Sequence, residues 1–313
     1  MKFGAVLGLI SLFSLSSCYI ENNLTSRIFC FDTSIEITLN EGSKTNLKEI
    51  ENIFKTYSNI SDNYLNTSVT NVYNINESND DIEVSKELYD LLKYSFSYID
   101  TLSLYNPLCG SLSKRWKESL AKKEVLSNDI ISEELEKMNN TYILFKENNI
   151  VQRVGEAEID LGGIAKGYAL DVVHRYLKKN NITKYLINAG SSSVLLGKKK
   201  NPYLVGIEKL DNAYFELSDK VISTSSIYKQ GVTIDGVTYS HIINPFTGSA
   251  VNEHDAVIVI NDEGALGDIL STSLMMSSLE EIKSLEEQYD FKSIVIDNKS
   301  IVYHHKDIEV KTH

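Results

Sequence analysis

Apolar positions recur along this chain with two periods. Phe29, Phe31, Thr33, Ile35, Ile37 and Leu39 alternate with mostly polar neighbours and predict a strand with one buried face, turned at Glu41-Gly42. Over 46–60, Leu47, Ile50, Ile53, Phe54 and Tyr57 take helical spacing. Ser85 then opens a second helix carrying Leu88, Leu91, Leu92, Ser95 and Ile99 on one side, with Glu87 near its start. The connection between these helices, over 60–76, is long, polar and rich in Asn, the kind of surface segment that often carries function. A loop over 102–110 contains Tyr105-Asn106-Pro107, and a helix bearing Trp116 and Leu120 follows. Residues 142–154 predict a hairpin turning at Asn148-Asn149.

The hairpin leads into Glu158-Ile159-Asp160-Leu161-Gly162-Gly163-Ile164-Ala165-Lys166-Gly167-Tyr168-Ala169-Leu170-Asp171. Residues 158–161 read as the end of a strand, the glycine pair as a turn, and Ala169, Leu170, Val172, Val173, Tyr176 and Leu177 as the buried face of a helix. Glycines at such a turn let backbone N–H groups approach a ligand, and a helix N-terminus favours negative charge, so a phosphate-bearing ligand suits the stretch. Lys166 in the first turn adds a cation that calls for an anion. The alternative is a tight packing turn between strand and helix. Short strands are expected over 185–188, 194–196, 203–207 and 214–217, with Asn188-Ala189-Gly190 closing the first. A hairpin at Asp235-Gly236 runs into Tyr239-Ser240-His241-Ile242-Ile243-Asn244-Pro245-Phe246-Thr247-Gly248. A buried strand over 256–260 precedes a helix over 265–277 that presents Asp268, Ser271 and Thr272 on one side. A helix to Tyr289 and a hairpin of 293–296 with 301–303 close the chain. Helices and mainly antiparallel strands mix without βαβ alternation, which predicts a single α+β domain.

The composition fits a globular chain: 313 residues, 42% hydrophobic, 24% charged, with 3 prolines. The net charge of −12 argues against nucleic acid as the main partner, and Lys198-Lys199-Lys200 reads as a solvated turn. Residues 1–17 carry the marks of a targeting signal: Lys2, an apolar run from Phe3 to Leu15, then Leu15-Ser16-Ser17-Cys18. That tetrapeptide resembles the lipobox of bacterial lipoproteins, which implies cleavage before a lipid-bearing Cys18. The expected organisation is a signal peptide (1–17), a lipidated Cys18 and linker (18–27), and a domain (28–313), tethered outside the cytoplasm and facing the periplasm. Tyr19 after the Cys favours the outer membrane over the inner by resemblance to enteric lipoproteins. Cys30 and Cys109 show no metal spacing and are taken as packing residues.

Five motifs in order, Asp160-Leu161-Gly162-Gly163-Ile164-Ala165-Lys166-Gly167, Asn188-Ala189-Gly190, Ser223-Thr224-Ser225, His241-Ile242-Ile243-Asn244-Pro245-Phe246-Thr247-Gly248 and Asp268-Ile269-Leu270-Ser271-Thr272, resemble the ApbE family of FAD:protein FMN transferases. They spread over nearly the whole mature chain. The resemblance implies a T-fold-related domain that passes FMN from FAD to a Ser or Thr hydroxyl of extracytoplasmic acceptor proteins, such as subunits of membrane redox complexes, and releases AMP. It also implies Mg²⁺ held by Asp268, Ser271, Thr272 and the Gly163 carbonyl, a hard cation on oxygen ligands. His241 is the implied general base. FAD recognition carries over to Asp160, Lys166, Leu104, Tyr105, Asn106 and Ile242, and to Asn63 or Tyr64 in the Asn-rich connection. The chain departs from the family pattern at Ser226-Ile227, at Phe246 after the Pro, and at Ser191. An FAD pyrophosphatase yielding FMN and AMP, and a lipid-anchored flavin carrier without chemistry, are the competing functions.

Overall fold

The computed structural model describes residues 10–13, 23–99, 101–102, 104–210, 212–228, 231–251 and 253–312. Cys18 and most of the segment read as a signal peptide lie outside these. Ala256–Asn261 is apolar in nearly every position, and it lies near the middle of an eight-stranded sheet, where both faces are covered. Across that sheet the order is Ser300–His304, Lys292–Asp297, Ala256–Asn261, Val221–Ser226, Ser193–Leu196, Tyr185–Ala189, Thr33–Leu39 and Leu24–Cys30, every pairing antiparallel. The period of two sorts the side chains. Val221, Val257, Val259 and Val295 join the main core under the helices, while Ile222, Ile258, Ile260 and Ile294 face a smaller sheet and pack on Val205, Ile207 and Phe215. That sheet runs Ile10–Phe13, Tyr203–Ile207, Ala213–Leu217, Lys311–Thr312.

The helix Lys44–Ile60 starts where Ser43 and Asn46 form a reciprocal capping box, and Ser85 caps Lys86–Phe96. The central helix Ala165–Lys179 and the late helix Gly264–Leu274 lie against each other and against the large sheet. No helix among the described residues is long and apolar enough to cross a membrane.

Several expectations require correction. The alternating run from Phe29 is two strands, because Phe31 and Asp32 take left-handed φ of 53° and 54° and reverse the chain. Phe29 therefore points outward, 74% exposed. Leu24 to Arg27 pair with Glu36 to Leu39, so the sheet includes residues assigned to the linker. Residues 158–161 form no strand; their backbone bonds to the preceding loop, Gly110 N to Glu158 O at 2.8 Å and Asp160 N to Pro107 O at 2.8 Å. The late helix ends at Leu274, short of 277. Two helices were not anticipated: Val72–Asn76 in the Asn-rich connection and Asn128–Asn139. Cys30 is buried and Cys109 half-buried, both as free thiols, in keeping with packing roles.

Candidate active site

The segment before the glycine pair is shaped by buried polar side chains. Arg153 donates to the carbonyls of Ile75 (3.2 Å), Asn76 (2.8 Å) and Gly155 (2.5 Å). The Asn76 amide imitates a ladder partner, donating to Ile159 O at 2.9 Å and accepting from Ile159 N at 2.7 Å. Asp160 follows, its Oδ1 accepting from Gly162 N at 2.7 Å. The turn through Gly162 and Gly163 then starts the central helix, which has no side-chain cap and no acid in its first turn. The helix dipole and Lys166 make this end of the helix electropositive.

The late helix is fixed against that end by close backbone approach. A Cβ on Gly167 would sit 2.1 Å from Gly264 O, and one on Gly264 would sit 2.5 Å from Gly167 O. Asp171, one turn along the central helix, accepts from Gly264 N (2.6 Å) and Ala265 N (2.8 Å), capping the late helix from outside. Burial pushes the Asp171 carboxyl up to about 6, against the pull of those two N–H groups.

This crossing delivers Asp268. Its Oδ2 accepts from Gly167 N (2.7 Å), and its Oδ1 accepts from Ser193 Oγ (2.8 Å) and Ser223 Oγ (2.7 Å). Burial raises the Asp268 carboxyl, opposed chiefly by the Lys166 charge. One turn further, Ser271 Oγ and Thr272 Oγ1 both donate to Asp268 O, and Ser225 Oγ lies 3.0 Å from Ser271 Oγ and 3.3 Å from Thr272 Oγ1. A Cβ on Gly163 would be 3.8 Å from Thr272 Oγ1, so the glycine turn faces this hydroxyl cluster.

Lys166 is the common neighbour of the site. Its charge acts on Asp160, His241 and Asp268. His241 keeps an exposed edge yet is hemmed in by protein; that enclosure first and Lys166 second push its imidazole down to about 4, leaving it neutral at physiological pH. Asp160 is raised by burial, opposed by Gly162 N–H and then by Lys114, Lys166 and Lys117. The same two lysines flank the half-exposed Tyr64 ring, with Nζ 5.2 Å (Lys114) and 4.9 Å (Lys117) from its centre.

The expected residues thus fall into two groups joined by Lys166 and Asp160. Gly163, Asp268, Ser271 and Thr272 converge on one side. Tyr64 and Asn63 lie by the lysines on the other, and the buried Asn63 Nδ2 has no hydrogen-bond partner. Ile242 is buried beneath His241, its N–H on Ser240 Oγ. Three expected contacts have prior commitments. The buried Tyr105 donates or accepts at Ser95 Oγ (2.6 Å), Asn106 Oδ1 accepts from Leu108 N (2.9 Å), and Leu104 O accepts from Ser273 Oγ (3.4 Å). Asp171, Ser193, Ser225 and Gly264 were not singled out as site residues, although Asp171 stands inside the central motif.

The residues fit a hard divalent cation. Three hydroxyls and the Gly163 turn gather beside a buried carboxylate that has accepted three of about four possible bonds. Among the described residues no group of three or more His, Cys, Asp or Glu is placed to hold a metal, so such an ion would rely on one carboxylate and neutral oxygens.

Solved structures share the architecture. An ApbE protein of Thermotoga maritima superposes with a TM-score of 0.75 at 25% identity, covering 92% of this chain and 96% of that one. The flavin transferase ApbE of Vibrio cholerae gives 0.74 at 22% identity over 91% and 97%, a likeness of fold. In sequence, an FAD:protein FMN transferase of V. cholerae is 30% identical over 164 residues, 50% of this chain and 49% of the relative. One of Klebsiella pneumoniae is 29% identical over 210 residues, 64% and 66% respectively. These alignments therefore span from about half to just under two thirds of the relatives. The model of the ApbE family matches residues 31–295. That match takes in the glycine turn, the His241 run and the late helix together, and the chain belongs to the ApbE family.

Proposed function

We propose that this protein transfers FMN from FAD to a Ser or Thr hydroxyl of an acceptor protein and releases AMP. The observation that carries it is the placement of Lys166, one cation serving two buried carboxylates, Asp160 and Asp268, a neutral imidazole and a glycine-turn helix N-terminus. That is what a pyrophosphate being attacked by a hydroxyl requires.

The acceptor oxygen attacks the phosphorus on the riboflavin side. The bond from that phosphorus to the bridging oxygen breaks, and the bridging oxygen leaves with AMP. His241, neutral at pH 7, takes the hydroxyl proton. Lys166 and the positive end of the central helix dipole hold the negative charge of the pyrophosphate. Asp268, Ser271, Thr272 and the Gly163 carbonyl would hold Mg²⁺, which when bound supplies charge neutralisation at the phosphates. Asp160, Ile242, Leu104, Tyr105 and Asn106 would recognise FAD, with Asn63 or Tyr64 toward its ring. A lipid on Cys18 would tether the domain to a bacterial membrane facing the periplasm, the outer membrane favoured, with extracytoplasmic acceptors such as subunits of membrane redox complexes.

The test is nucleotide chromatography after incubation with FAD, with and without Mg²⁺, and with a candidate acceptor. AMP that requires Mg²⁺ and is lost in Thr272→Val supports the site. Intact FAD under every condition, retained by the protein, would leave a carrier instead.

A further inference from the structure

The His241 run hangs between two points that meet one buried side chain. Trp116, the only tryptophan of the chain and 3% exposed, donates its indole N–H to Gly248 O at 2.7 Å. Its ring stacks on Tyr239, with centroids 5.9 Å apart and planes at 23°. Tyr239 precedes His241 by two residues, and Gly248 closes the same loop. Between them the loop is braced from within. Asn244 Oδ1 accepts from Phe246 N (2.9 Å) and Thr247 N (3.1 Å), Gly248 N donates to Asn244 O (2.8 Å), and Val251 N donates to Ile242 O (2.9 Å). A loop so braced moves as one piece, so what holds its ends sets where His241 stands.

Gly248 is seated by a second contact. Its φ is +67°, and a Cβ there would meet Ile131 of the helix Asn128–Asn139 at 2.5 Å. That helix is tied to the helix Gly110–Ala121, which carries Trp116, by Arg115 Nε lying 3.7 Å from the buried Glu134. Gly110–Ala121 also carries Lys114 and Lys117, the two lysines against Tyr64. One helix thus touches the candidate flavin side with its lysines and the His241 loop with its indole.

We infer that Trp116 is a positioning residue for the transfer reaction, holding both ends of the His241 loop at a fixed place relative to the flavin side of the site. The inference rests on His241 as the base, and Trp116 itself touches no reacting atom.

The experiment uses the full chain with Trp116→Phe, which keeps an aromatic ring and removes the N–H donor, and Tyr239→Leu, which removes the stacking partner. His241→Ala runs beside them. AMP formation from FAD in the presence of Mg²⁺ and an acceptor protein gives kcat and KM, and hydrogen exchange of the peptide over 240–250 reports the loop. The expected result is a kcat fall of roughly ten- to hundredfold in Trp116→Phe, larger than the rise in KM for FAD that moving Ile242 with the loop brings, because misplacing a catalytic group costs most in the transition state. Exchange over 240–250 should rise in both variants. Unchanged exchange, or a kcat within about twofold of wild type while His241→Ala is inactive, overturns the inference. So does a loss that merely follows the unfolded fraction. If exchange rises but His241→Ala remains fully active, the base assignment falls, and the catalytic role of Trp116 with it.

Discussion

Gly167 gives its backbone N–H to Asp268 Oδ2 at 2.7 Å, and it reaches that oxygen because its missing Cβ lets the central helix press against Gly264. The contact is both structural and chemical: the glycine that permits the helix crossing supplies a donor to the buried carboxylate. Gly167→Ala would set a methyl 2.1 Å from Gly264 O, a backbone atom with nowhere to move. The expected cost is on the order of 3 kcal/mol in urea unfolding, together with lost Mg²⁺-dependent AMP release. A variant of wild-type stability would show that the crossing is looser than described.

Asp171 makes stability depend on pH in a defined window. A carboxyl that holds its proton more tightly folded than unfolded contributes stability fully below its ordinary value of 3.8 and loses it as pH rises through about 6. Between pH 4 and pH 7 wild type should lose on the order of 2–3 kcal/mol relative to Asp171→Asn. Urea midpoints at the two pH values measure this, and a difference independent of pH would contradict it.

The imidazole of His241 is depressed from 6.5 to about 4, so it stays neutral and competent as pH falls through 6. The acid limb of kcat is therefore expected well below 6, and removing the Lys166 charge in Lys166→Gln should move that limb upward. His241→Ala should lower kcat roughly 10²–10⁴-fold. An acid limb at 6.5 in wild type, unmoved by Lys166→Gln, would sink the assignment.

Ser223→Ala removes one of two hydroxyls on Asp268 Oδ1 and leaves Ser193 in place. The fold should survive with a loss of about 1–2 kcal/mol, read from the thermal midpoint, because a hydrogen bond to a buried charge is broken. The carboxyl of Asp268 should rise further, weakening Mg²⁺ activation at lower pH. Equal Mg²⁺ dependence in both proteins from pH 6 to 8 would argue against Asp268 as a cation ligand.

Much of this was legible in the sequence because its causes are local. Helical spacing in 46–60 and the Ser85 cap predicted two helices, Asp235-Gly236 predicted a hairpin, and Asp268, Ser271 and Thr272 at three and four residues shared a face. The strand Leu24–Cys30 was missed because its inward positions, Leu24, Ser26 and Ile28, are only half-buried at a sheet edge and include a Ser. The helix Asn128–Asn139 did carry a signal, Ser127 before Ile131, Leu135 and Met138 at helical spacing. The partners of Asp268 were not legible, since Ser193 and Ser223 lie 75 and 45 residues away and are united only by the antiparallel sheet. The outside cap from Asp171 to Gly264, 93 residues apart, is of the same kind.

The most direct test of the account is the intact mass of an acceptor protein after incubation with this chain, FAD and Mg²⁺. The expected acceptor is heavier by one FMN phosphoester, with one AMP released for each modified chain, and is unmodified with His241→Ala. AMP and free FMN beside an unmodified acceptor, with every acceptor tried, would contradict transfer and make water the nucleophile at this site.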